Sequence, residues 1–257
     1  MIFDTFLQYW FIIVLFFLVS ILYSSVGFGG GSSYLAILAL TGIIFTQIRA
    51  TALLCNIVVV SGNVFLFYQQ KELDFKKTIP LVLLSVPFAF LGGYLKINQN
   101  FFFILLGFTL FFAAITMWFS KKISVSSKKN TKQNTFKNSS LGGVIGFISG
   151  VAGVGGGIFL APILHLTNWD TPKKIAATAS FFILVNSFSG FLGQYSNPNF
   201  NMDWKLTSIL VITVFIGGQI GGRISNKYFS SIQLKKTTAI VIVFVSIRIL
   251  WKHLLIS

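Results

Sequence analysis

Apolar runs of about 18 to 22 residues recur along the whole chain, and none alternates with the period of two that a lipid-facing β-strand requires. Runs of that length cross a hydrocarbon core of about 30 Å as α-helices. Ten apolar segments are expected, at 6–26, 31–45, 50–69, 78–95 and 101–119, then at 141–153, 156–167, 175–193, 205–223 and 234–254. The second, sixth and seventh are short, because clusters of glycine cut them. The first is read as a retained helix rather than a signal peptide, since no basic segment precedes it and no small-residue cleavage site follows at the usual distance.

One tract breaks the pattern. "SKKISVSSKKNTKQNTFKNSS", Ser120 to Ser140, holds six lysines and no acid, and divides the chain into a first half at 1–119, a basic linker at 120–140 and a second half at 141–257. The halves repeat. "GFGGG" at Gly27 to Gly31 matches "GVGGG" at Gly153 to Gly157, an offset of 126; "ATA" at Ala50 to Ala52 matches Ala177 to Ala179, an offset of 127; "LGGYL" at Leu91 matches "IGGRI" at Ile220, an offset of 129. Offsets that drift steadily in an unchanged order mark a duplicated unit with small insertions.

The lysines orient the segments. With five crossings in each half, Lys71, Lys76, Lys77, the central tract, Lys173, Lys174 and the stretch from Arg223 to Lys236 fall on one side. That puts about fifteen basic residues inside and about five outside, as the positive-inside rule expects. Four crossings per half, with the short pieces re-entrant, fit worse. An odd number of crossings turns the second half upside down. The expected fold is therefore an all-α polytopic membrane protein of two inverted-topology repeats, about five transmembrane segments each, with short Gly-broken helices. Both termini would lie outside a cell (inner) membrane and the basic central loop in the cytoplasm. In such repeats the substrate site sits near the midplane.

Composition sharpens the class. Hydrophobic residues make up 54% of the chain and charged ones 10%, so the net charge of +15 is read as helix orientation and contact with anionic lipid, not nucleic-acid binding. The single cysteine, Cys55, excludes disulfides and cysteine-based metal sites. The acids Asp4, Glu72, Asp74, Asp170 and Asp203 all fall at ends or in loops, leaving no midplane carboxylate to relay protons or hold Na⁺. No metal or cofactor is expected. Two scattered histidines and no buried acid do not make an enzyme site. Ser32 interrupts a GxGxxG pattern and no GxxxxGK[ST] occurs, which argues against nucleotide chemistry.

Four glycines in five residues weaken a helix by about 1 kcal/mol each relative to Ala in water. Close packing is the plain explanation, since Gly27/Gly31, Gly146/Gly150, Gly153/Gly157 and Gly218/Gly222 all have GxxxG spacing. For the Gly146 and Gly218 clusters it serves as well as any other. In "GFGGGSS" and "GVGGGI" the density exceeds what packing needs. A backbone break there exposes N–H groups at the start of the next helix, where the helix dipole favours an anion. Such a break is tolerated at membrane depth only inside protein or beside a wet cavity.

The candidate substrate-binding residues are thus Gly27, Gly29, Gly30, Gly31, Ser32 and Ser33, with Gly153, Gly155, Gly156 and Gly157. Thr51, Asn56, Thr178 and Asn186 could complete the site, with Asn63, Ser187 and Gln194 as further polar groups. Hydroxyls more often back-bond to their own helix. Asn56 and Asn186 lead, because a buried amide is costly without partners. Arg49 and Lys174 are expected at opposite mouths, attracting anions or anchoring the helix ends. His165 is expected at the interface.

The paired Gly-rich motifs, "GFGGGSSYLAILALTG" and "GVAGVGGGIFLAPIL", followed by "KKIAATAS" and set around a basic loop, resemble the sulfite exporter TauE/SafE family, also called TSUP permeases. The resemblance spans nearly the whole chain. It implies a polytopic carrier of sulfur-containing anions such as sulfite, sulfonates and sulfoacetate, or of other organic anions. Its motifs fall on the two glycine clusters and on Ala50, Thr51, Ala52, Ala177, Thr178 and Ala179. The expected function is a secondary transporter moving a small anion (sulfite, sulfonate or carboxylate) by alternating access. An anion channel, or a membrane subunit of a larger complex, is the other reading, and a homo-oligomer is left open.

Overall fold

A computed structural model describes residues 2–119 and 135–224, apart from 168 and 199, together with 243, 246, 247 and 249–251. Most of the expected last segment at 234–254, and 120–134 of the linker, lie outside the described residues. Those described form nine helices and no strand: α1 (Ile2–Ser25), α2 (Gly31–Ala39), α3 (Phe45–Gln69), α4 (Phe75–Tyr94), α5 (Gln99–Phe119), α6 (Thr135–Ala152), α7 (Gly157–Leu166), α8 (Pro172–Tyr195) and α9 (Trp204–Ile224).

Parts of α1, α3, α4, α8 and α9 are long and apolar enough to cross a membrane. Large apolar side chains face outward, as Leu7, Trp10, Phe11, Val14 and Leu18 do along one stripe of α1. Their spacing of three to four residues is that of a single helix face, here turned to lipid. Polar groups point inward instead: Ser20, Ser24, Asn56, Asn63 and Asn186 are all buried.

Residue pairs give the helix directions. Along α1 and α9, Phe17 lies against Gly217 and Ile21 against Gly221, so the two run parallel. Thr51, Val59 and Asn63 of α3 meet Thr207, Gly218 and Gly222 of α9 in the same sense. On the other side, Leu81, Ser85 and Ala89 of α4 meet Gly142, Gly146 and Gly150 of α6. Thr78, Val86 and Phe90 of α4 meet Thr178, Ser189 and Gly193 of α8. Between the two sets, α3 and α8 are antiparallel: Leu53 is near Gly190, while Phe67 and Ser180 converge on Gly27. Thus α1, α3 and α9 point one way and α4, α6 and α8 the other.

Glycine makes these contacts possible. A methyl group at Gly142, Gly146 or Gly150 would collide with the backbone carbonyl of Leu81, Ser85 or Ala89. The same closeness recurs at equivalent places in the two halves, Gly92 on the Phe147 carbonyl and Gly221 on that of Ile21. Here the GxxxG spacing at Gly146 and Gly150 is helix packing, which in a membrane depends on small residues.

Two boundaries differ from expectation. α6 begins at Thr135, inside the tract read as linker, and its first turn, Thr135 to Lys137, is exposed. α2 covers only nine residues of the segment expected at 31–45; at 1.5 Å per residue it is about 14 Å long, half a hydrocarbon core. Because α1 and α3 run in the same direction, the chain between them must return across the bundle. It does so first as non-helical backbone and then as α2.

Candidate functional site

The spacing of the glycines follows from two helix ends placed back to back. Gly27, at φ +83°, terminates α1: its N–H bonds the Ser24 carbonyl, and the Phe28 N–H bonds that of Tyr23 at 2.9 Å. This is the left-handed glycine stop of a helix C-terminus. Three residues on, Gly30, at φ +87°, is the N-cap of α2. The second half repeats the device, with Gly153 (φ +73°) ending α6 and Gly156 (φ +84°) starting α7. A side chain at either N-cap would be strained in this left-handed backbone.

Neither glycine N-cap has a side-chain hydrogen bond. Two other helices are capped by side chains, with Asp74 accepting from the Lys77 N–H at α4 and Thr171 from that of Lys174 at α8, whereas α3 starts at Ile44 without one. The contrast matters because the first N–H groups of a helix have no partner within it.

Asn56 lies where the two breaks meet. It is fully buried, and a methyl group at either Gly29 or Gly31 would collide with its amide. Its Nδ2 donates to the Val154 carbonyl at 3.0 Å, across to the second half, and packs on Gly155. Its Oδ1 has no partner, and neither do the hydroxyls of Ser149 and Ser187 beside the second break. Unpartnered polar atoms at this depth cost about 1–3 kcal/mol each. All three residues lie beside the second break, Asn56 by packing on Gly155.

A cavity of about 40 Å³ opens there, lined by Gly29, Gly30, Gly31, Ser32 and Asn56 with Tyr23 and Phe28 from the first half, and by Val154, Ile158, Ala161, Pro162, His165 and Ile183 from the second. About 10–15 Å³ suffices for one water, so the space admits a small ion. No acid lines it.

The other candidates divide. Ser33 shares a hydrogen bond of 2.8 Å with Tyr23, and the Gly27 carbonyl accepts from Ser180 of the opposite half. Gly153 rests on Arg49, Gly155 on Ser187, Gly156 on Phe182 and Gly157 on Ile183, so none of these four lines the cavity. Both breaks are read from sequence as exposing N–H groups to an anion; of the two helix starts, only that of α2 lines this cavity. The reason is Ile183, which stands 127 residues after Asn56 and fills the equivalent space against Gly157.

Thr51 and Thr178 face neighbouring helices instead of the cavity. Thr51 pairs with Thr207 at 2.9 Å and Thr178 with Thr78 at 3.2 Å, two bonds in equivalent positions of the halves. Asn186 back-bonds to the Phe182 carbonyl at 2.8 Å and keeps an unpartnered Oδ1 away from the cavity. Asn63 holds the break from the side, its Oδ1 2.8 Å from the Ser24 hydroxyl.

Two larger cavities flank the centre. One, of about 180 Å³, includes Ser24, Asn63, Gln70, Lys173 and Ala176, and shares Phe28 and His165 with the central cavity. Lys173 lines it where Lys174 was expected, since successive residues point about 100° apart around a helix. The other, of about 270 Å³, lies at the opposite ends of α3 and α8 and includes Arg49, Lys96, Gln194 and Asn197. Arg49 lines this cavity yet is only 3% exposed, and it donates to the carbonyls of Gly150 and Gly92 at 3.0 and 3.3 Å. Near the first of these cavities, Lys77 joins α4 to Asp170 of the loop between α7 and α8. Burial opposes ionisation of Asp170, but the Lys77 ammonium and the Thr171 N–H outweigh it and hold the carboxyl below its usual range.

Tyr23, Phe28, Ile158 and Pro162 were not singled out from the sequence. Each lies within five residues of a glycine or proline interruption, the one signal that could have found them.

Lipid-facing helices around broken ones, with a small cavity at the breaks, define a polytopic membrane protein of the transporter class. The family model described as Sulfite exporter TauE/SafE matches residues 12–249, and the chain belongs to that family. It is 31% identical to the probable membrane transporter protein y4hK of Sinorhizobium fredii, over 93% of this chain and 96% of that protein. It is 28% identical to a probable membrane transporter protein of Methanocaldococcus jannaschii, over 84% and 86% of the two chains. With the probable membrane transporter protein YunE of Bacillus subtilis it shares 24% identity over 69% and 71%. No solved structure matches the chain.

Proposed function

We propose that this membrane transporter carries a small oxyanion, a sulfur oxyanion such as sulfite or a sulfonate first and a short carboxylate second, through the cavity between the two glycine breaks. One observation carries the reading: the uncapped N-terminus of α2 and the buried amide of Asn56 converge on a cavity with no acid. Backbone N–H groups and a helix dipole attract an anion without a charged side chain. Asn56 adds a donor at Nδ2 and an open acceptor at Oδ1, a pair that suits an oxyanion still bearing one proton. The family's description as a sulfite exporter supports sulfur over carbon as the central atom.

Alternating access between two inverted repeats is the proposed mechanism. It is supported by the opposite directions of α1 and α6, of α3 and α8, and of α4 and α9, the pairs that the sequence repeat makes equivalent. The face at Lys71, Lys76, Lys77, Lys173 and Lys174 is assigned to the cytoplasm of a cell membrane by the positive-inside rule. The shared lining residues Phe28 and His165 then connect the central site to the cytoplasmic cavity. This is an inward-facing form, and rocking one repeat against the other would expose the site outside.

The test is uptake of sulfite, methanesulfonate and acetate into liposomes holding the purified chain. Uptake of at least one above protein-free liposomes is expected. No uptake of any would overturn the reading.

A further inference from the structure

The cavities at the two ends of the bundle are lined by matching residues of the two halves, and two matching pairs differ in charge, the first being Thr46 in the larger cavity against Lys173 in the smaller. Phe45 and Gln194 line the larger cavity where Pro172 and Phe67, at offsets of 127, line the smaller. At the innermost matching position the smaller cavity has Ala176 and the larger has Arg49. The Arg49 side chain is buried and bridges three helices, from α3 to the Gly92 carbonyl of α4 and the Gly150 carbonyl of α6. Its remaining neighbours do not satisfy it. Nε has no partner, no acid lines the cavity, and the Phe102 ring stands 5.9 Å away. A guanidinium within a membrane protein is costly and is normally paired. In the same cavity the buried amide nitrogen of Gln194 also lacks a partner.

We propose that this cavity of about 270 Å³ is a second oxyanion site, distinct from the central one, with Arg49 and Gln194 as its buried donors and Lys96 at its rim. A planar guanidinium with an open Nε presents a donor suited to oxygen atoms of a sulfur oxyanion or a carboxylate. An anion bound there competes with the Gly92 and Gly150 carbonyls for the group that ties α3 to α4 and α6. Arg49 is then both a binding residue and the bolt between this cavity and the centre. The proposal takes its probes from the function proposed above.

Equilibrium binding of sulfite, methanesulfonate and acetate to the full chain in lipid nanodiscs tests it, with Asn56→Leu and Arg49→Gln used singly and together. For at least one probe the wild type should bind two anions per chain, Asn56→Leu one, and the double variant none. Arg49→Lys, which keeps the charge but loses the fork, should weaken the outer site about tenfold without removing it. It carries the test if Arg49→Gln does not elute as a folded species. Binding to Asn56→Leu that persists unchanged in the double variant overturns the proposal. So does a single wild-type site lost in Asn56→Leu alone, an outcome that leaves the central reading intact. A single site lost only with Arg49→Gln sustains this proposal and overturns the central one. Binding of no probe overturns both.

Discussion

The two glycine breaks share a backbone and differ in what is set against it. Both end one helix on a left-handed glycine and start the next on another, three residues later. Yet the residue facing the first break is Asn56 and its counterpart at the second is Ile183, while Arg49 in the first half corresponds to Ala176 in the second. A duplication supplies two equivalent frames for the helix ends. Substitution within α3 and α8 then makes the two frames polar at different places: Asn56 faces Gly31 where Ile183 faces Gly157, while Ser187 faces Gly155 where Val60 faces Gly29. Symmetry in this molecule belongs to the main chain and the glycines, and the chemical differences to a few side chains of α3 and α8.

The largest expected effect tests the shared part. Gly30→Leu and Gly156→Leu each force a side chain into left-handed backbone and against the ring of Tyr34 or Phe182, 2.9 and 2.8 Å from the added carbon. The backbone strain alone costs about 1–3 kcal/mol. Both variants should lose sulfite uptake and melt at lower temperature, by similar amounts. A loss confined to one would mean that the two breaks are not equivalent even as scaffolds.

The polar difference comes next. Asn56→Leu should lower uptake about 10- to 100-fold, the value of a hydrogen bond to a charged group. Ile183→Asn, on the opposite wall of the same cavity, should change it far less, and equal sensitivity would show that both walls contact the substrate. A milder change follows from copying the arginine. Ala176→Arg should narrow the smaller flanking cavity and slow uptake severalfold while sulfite affinity at the central site stays the same, as read by binding in nanodiscs.

The smallest effect concerns Asp170. Its carboxyl is held below the ordinary value of about 3.9 by Lys77, so the folded state binds the proton less readily than the unfolded one. The resulting stability is present above that ordinary value and is lost as pH falls through the lower folded one. Lys77→Met should remove the contribution, flattening the acid side of a melting-temperature profile by a small margin, since the Lys77 side chain is 38% exposed.

Much of this was legible in sequence, and the remainder was hidden for physical reasons. Helix length, the glycine interruptions and the duplication are periodic or compositional, and α4, α5, α8 and α9 fall within a few residues of the expected segments. The burial of Arg49 was not legible: α3 begins at Phe45, not near residue 50, which sets the arginine a turn inside the helix. It fits there because Gly153 leaves it room and the carbonyls of Gly92 and Gly150 accept from it, a three-dimensional coincidence that no single segment reveals. Thr51 and Thr178 are candidates in sequence because few polar side chains are available to complete the site, and both sit in the repeated A-T-A motif. That motif instead marks where each long helix is tied to a neighbour. Asn56 was identifiable, since an amide in an apolar run must find partners, but its contact with both breaks depends on the crossing of α3 between them.

The most direct measurement is an experimental structure of the chain with selenite, a heavier analogue of sulfite, located by the anomalous scattering of selenium. The account predicts a peak within hydrogen-bonding distance of the Gly31 and Ser32 N–H groups and the Asn56 amide. A chain that transports selenite yet shows bound selenium only elsewhere, with the space between the breaks unoccupied, would contradict it.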